Sequence, residues 1–133
     1  MIHMTEKASL DYLQEKLTAA EILEYIARNT DEAEGGDESR SLFEQSWQDY
    51  REVERQSREL LMTEDSDQAQ ELLAQVLLDI HIHPNSKYAR DSAALWEAQY
   101  RWLHLFFRTG EQAFMEQAKL CDGIRHAQVE MVD

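Results

Sequence analysis

Pro84 is the only proline in 133 residues, and the four glycines stand at positions 35, 36, 110 and 123. A chain with so few breakers has little means of making the frequent tight turns of a β-sandwich, whereas it can sustain long helices. Its hydrophobic fraction of 43% with twelve aromatic residues supplies a core and argues against a disordered acidic tail. One domain of this length buries about two thirds of the surface its unfolded chain exposes. The sequence therefore predicts an all-α fold, an antiparallel bundle of five or six helices in a single domain spanning residues 1–133.

Periodicity places the helices. Thr18-Ala19-Ala20-Glu21 and Ser41-Leu42-Phe43-Glu44 have the spacing of capping boxes, which predicts helix starts at Thr18 and Ser41. Leu10, Leu13 and Leu17 then belong to a separate short helix before Thr18. After Ser41, Phe43, Trp47, Tyr50, Val53, Ser57, Leu60 and Leu61 recur at helical steps through about five turns. From Ser66 or Asp67 a further stripe holds Ala69, Leu72, Leu73, Val76, Leu77 and Ile80, and His83-Pro84 ends it because a residue before proline is pushed out of the helical region. The next helix is expected from Ser86 to Arg108, with Gly110 closing it, and a last one carries Phe114, Met115, Ala118 and Cys121. Residues 30–40, acidic around Gly35-Gly36, read as a mobile loop, and a tail from about 124 as a possible disordered end.

Charge is the strongest functional signal. Thirteen bases face 27 acids for a net of −14, and residues 1–67 hold 18 of the acids with 7 of the bases. Direct binding to nucleic acid is disfavoured, because phosphate recognition needs clustered Lys and Arg. An acidic surface instead suits a basic protein partner, and otherwise serves solubility. Asp31, Glu32, Glu34, Asp37 and Glu38 are the predicted partner-binding residues. Arg51, Arg55 and Arg58 alternate with acids and are expected to form internal ion pairs.

Seven of the aromatics fall between Tyr88 and Phe114. The run Trp102-Leu103-His104-Leu105-Phe106-Phe107 is apolar on nearly every side of its helix, which predicts a helix near the centre of the bundle, a homodimer face or a ligand pocket. A pocket would be lined by Trp47, Trp96, Tyr100 and His104.

Groups with catalytic spacing are scarce. His81 and His83 are weak metal candidates, since residues two apart converge on a strand but diverge on a helix. No Glu stands three residues before any histidine, no glycine-rich phosphate loop is present, and Cys121 lies poorly placed for His126. With one cysteine, no signal-peptide-like start and no apolar run of about 20 residues, a cytoplasmic protein off the membrane is expected. No cofactor is expected.

These features favour a non-enzymatic module whose acidic helical surface occupies a basic site on another protein, for which a nucleic-acid-binding protein is one candidate. A nuclease immunity factor or a phage-encoded inhibitor of a DNA-binding defence complex would work in this manner. The alternatives are a small-molecule-binding regulatory domain built on the aromatic pocket and, last, a metal-dependent enzyme using the HxH segment.

Overall fold

The computed structural model describes the backbone of residues 2–30, 32–86 and 93–132, and the side chains of 10–30, 36–86 and 93–127. Among the described residues there are five helices and no strand: α1 (Ile2–Asn29), α2 (Glu32–Thr63), α3 (Asp67–Ile82), α4 (Ala93–Thr109) and α5 (Gln112–Val132). The all-α reading holds. Consecutive helices pack together, and α3 also touches α1. Side-chain pairs give the directions: Lys16 meets Asp49 while Ser39 meets Ala27, so α1 and α2 run antiparallel. Trp102 with Phe114 and Trp96 with Arg125 show the same for α4 and α5.

Two predicted helix starts are interior residues. α1 runs unbroken through Thr18, whose exposed hydroxyl accepts from Gln14 at 3.4 Å rather than capping a helix. The reason is packing: Leu13, Leu17, Ala20 and Ala27 make one buried stripe across the expected break. Likewise α2 begins before Ser41, and residues 32–40, expected as a loop, are its first turns. Burial of Ser39, whose hydroxyl donates to the Ala27 carbonyl at 3.0 Å, ties those turns to α1.

The third helix starts where the sequence places it. Ser66 is extended and its hydroxyl accepts from the Ala69 amide at 3.2 Å, satisfying a donor the helix itself leaves unpaired. His83 caps the other end, its amide donating to Asp79 and Ile80 carbonyls. α3 occupies the middle of the bundle, with Leu73, Val76 and Leu77 nearly or wholly buried along with Ala74 and Leu78 on its other sides. The aromatic helix expected near the centre is thus displaced: α4 buries Leu95, Ala98, Trp102 and Leu105 but leaves Trp96, Tyr100 and Phe107 exposed. Its expected beginning at Ser86 precedes residues 87–92, which lie outside the described residues. Gly110 ends α4 with φ +75°, a left-handed conformation that suits glycine, and its amide donates to Phe106 O at 2.7 Å. α5 continues through Gly123 to Val132, so the backbone from 124 to 132, expected as a tail, is helical.

Candidate functional site

The α1–α2 hairpin sorts its charges. Lys16 pairs with Asp49, Arg28 with Glu24 at 2.6 Å, Arg51 with Glu54, and Arg55 with both Glu52 and Glu59. Arg58 binds Glu54 at 3.0 Å and crosses to Glu97 on α4 at 2.8 Å, and Arg101 completes the group by holding Glu97 at 2.9 Å. The two arginines keep the Glu97 carboxyl below its usual range, hydrogen bonding from Arg58 contributing most. The expected pairing of Arg51, Arg55 and Arg58 is therefore seen. Among the described residues, Asp11 and Glu15 on α1 and Asp37, Glu38 and Glu44 on α2 are exposed acids with no ion pair. Of the five predicted partner-binding residues, Asp37 and Glu38 thus face solvent on α2. Asp31 and the side chains of Glu32 and Glu34 lie outside the described residues.

A polar group of one buried tyrosine and half-buried acids joins α1, α2 and α3. Tyr50 donates to Glu24 Oε1 at 2.8 Å, and burial, reinforced by the Asp79 and Glu24 carboxyls, holds its hydroxyl far above its ordinary pKa. Asp79 is pushed up to about 9, chiefly by burial and then by the carboxyl of Glu21. Both effects favour the protonated form, and a proton held there lets two neighbouring carboxyls coexist. Beside them, His83 sits among the rings of Phe43, Trp47 and Tyr50, with centroids 5.3 to 5.8 Å away. Nothing in the spacing of Glu21, Tyr50 and Asp79 announces this group, although an acid on so apolar a helix as α3 is a visible anomaly.

The histidines of the HxH segment do not converge. His81 is buried in the last turn of α3 and lines a cleft of about 470 Å³ with Trp47, Leu77, Ile80 and Ala94, rimmed by Arg51, Arg58 and Glu97. His83 lies beyond the helix end, where Nε2 is engaged by Ser46 and Nδ1 by the Asn85 amide. Among the described residues, no three His, Cys, Asp or Glu side chains are placed to hold a metal ion. The pocket expected from Trp47, Trp96, Tyr100 and His104 is not assembled either. Trp47 belongs to the cleft, whereas Trp96 and Tyr100 lie on the outward side of α4 and His104 stacks on Tyr100 with centroids 6.3 Å apart. Cys121 is buried, and burial pushes its thiol up to about 11, which suppresses the reactive thiolate.

Among the described residues, no helix is long and apolar enough to cross a membrane. In comparisons with known proteins, no family model, curated protein or solved structure matches the chain.

Proposed function

We propose that the chain is a non-enzymatic protein-binding module of the cytoplasm, a homodimer that uses the acidic surface of the α1–α2 hairpin to occupy a basic site on a partner protein. One observation carries this reading: the arginines of α2 from Arg51 to Arg58 are spent on internal ion pairs, while Asp37, Glu38 and Glu44 remain exposed on the same helix without one. A surface that neutralised its own acids would have no long-range attraction to offer. Here the surplus points outward, where it speeds encounter with a positively charged surface and selects against acidic ones. A protein whose basic face binds nucleic acid fits this chemistry, and the module would compete there with phosphates.

The test compares the wild type with a chain in which Asp31, Glu32, Glu34, Asp37 and Glu38 are replaced by their amides. Both are immobilised and offered basic nucleic-acid-binding proteins purified from the source cell, at about 0.05 M and about 0.3 M salt, which roughly halves the Debye length. The expected result is an association rate that falls about tenfold with salt and with neutralisation, the dissociation rate changing much less. Binding indifferent to both salt and the five amides would sink the acidic-surface reading.

A further inference from the structure

The outward side of α4 carries a seam with an unusual symmetry. Trp96, Tyr100, Leu103 and Phe107 follow one another at steps of four, three and four residues, the spacing of the a and d positions of a coiled coil. Those steps read the same in either direction. Turned about a two-fold axis between Tyr100 and Leu103, the seam meets itself antiparallel, with Trp96 opposite the partner's Phe107 and Tyr100 opposite the partner's Leu103.

Exposure and charge agree with such a contact. Trp96, Tyr100 and Phe107 are 52%, 66% and 78% exposed within one chain, although the opposite side of the same helix is fully packed. Aromatic side chains bury roughly 150 to 250 Å² each, so these three alone bring on the order of 400 Å² to an interface needing about 800 Å² per partner. Leu103, half-buried with one side packed on the core, adds its remaining edge to it. Self-association of a chain with net charge −14 faces repulsion nearly everywhere else. α4 is the exception among the five helices: its two bases, Arg101 and Arg108, outnumber its one acid, Glu97. That acid is already held by Arg58 and Arg101, so the seam brings no uncompensated α4 carboxylate against its copy.

We infer that the Trp96–Tyr100–Leu103–Phe107 face of α4 is a homodimer interface, in which two copies of this helix pack antiparallel about a two-fold axis between Tyr100 and Leu103. The dimer so formed leaves both acidic hairpins outward. This inference supplies the interface for the proposed homodimer, and its test does not involve the basic partner.

Sedimentation of the full chain at micromolar concentration is expected to return about twice its 15.6 kDa mass. Phe107→Glu, a change at an exposed position, is expected to halve that mass while leaving the helical circular dichroism unchanged. Neutralising Asp37 and Glu38 is expected to leave the dimer intact, which separates this interface from the acidic surface. In a mixture of Tyr100→Cys and Leu103→Cys chains, oxidation is expected to give mainly the mixed disulfide. A wild type that sediments only as a monomer, a Phe107→Glu chain that stays dimeric, or disulfides mainly between like chains would overturn the assignment.

Discussion

Ser46 on α2 and His83 at the end of α3 are joined by a 2.8 Å hydrogen bond between Oγ and Nε2, and both side chains are essentially inaccessible to solvent. The neighbouring bonds assign the protons. The Asn85 amide donates to Nδ1 at 3.0 Å, so Nε2 carries the hydrogen and donates to Ser46 Oγ, which in turn donates to the Phe43 carbonyl at 2.9 Å. Every polar atom of this chain of groups has a partner, and the imidazole is neutral.

Removing one link should therefore be costly. Ser46→Ala leaves Nε2–H without an acceptor, and the other tautomer offers no escape because Nδ1 must accept from Asn85. A loss of about 1 to 3 kcal/mol is expected in urea unfolding. A neutral result would mean that the bond contributes nothing.

The same histidine gives the fold an acid-side weakness. Burial lowers the His83 pKa, against an opposing pull from Glu24 and with Arg28 acting in the same direction as burial. A histidine depressed in the folded state contributes stability that is present above its unfolded pKa of about 6.5 and is lost as pH falls through the folded value. With Asp79 replaced by Asn, so that its own opposite titration is removed, the unfolding midpoint should drop between pH 7 and pH 5. His83→Gln, whose amide nitrogen can replace Nε2 at Ser46, should be less stable at pH 7 but should lose less between the two pH values.

Asp79 sets the opposite trend. A carboxyl raised to about 9 in the folded chain contributes stability that is full below about pH 4 and is lost as pH rises toward 9, because deprotonation puts charge beside Glu21, Glu24 and the Tyr50 hydroxyl. Asp79→Asn keeps the shape and cannot ionise. Its urea midpoint should hold steady from pH 6 to pH 9 while the wild type falls by at least ~1.4 kcal/mol in stability, the equivalent of one pKa unit. Parallel curves for the two proteins would refute the assignment.

The helical start of α2 can be tested with small residues. Gly36 lies inside the helix with open space around a would-be Cβ, so Gly36→Ala should stabilise by about 0.5 to 1 kcal/mol. Ser41→Ala should likewise be neutral or slightly stabilising, whereas a true N-cap would lose about 1 kcal/mol. Gly110→Ala, by contrast, should destabilise by about 1 to 2 kcal/mol because φ is positive there. Thermal melts of the three variants decide the matter.

How far the sequence could be read depended on whether the relevant force was local. Ser66 and Pro84 bound α3 correctly because a cap and a proline act on their immediate neighbours. Thr18 and Ser41 misled because a hydroxyl followed three residues later by Glu is also common inside helices. It becomes a cap only where the backbone leaves the helical region, and here Leu17, Ala20 and Ser39 are held in continuous packed faces. The pairing of Arg58 with Glu54 was legible as a four-residue step, but its bridge to Glu97, 39 residues away, was not.

By itself the sequence determined an all-helical chain, the limits of α3, the glycine that closes α4 and the acidic excess of the first half, all consequences of backbone preference and charge counting. Only the tertiary structure decided that α3 rather than α4 takes the centre and that His83 turns to Ser46 while His81 turns to the cleft. It also decided that Asp79 meets Glu21 where both are half-buried, and that Trp96, Tyr100 and Phe107 of the α4 seam stay more than half exposed. Those outcomes depend on which faces meet when helices distant in sequence pack together, and periodicity along a single helix marks an apolar face without naming its partner.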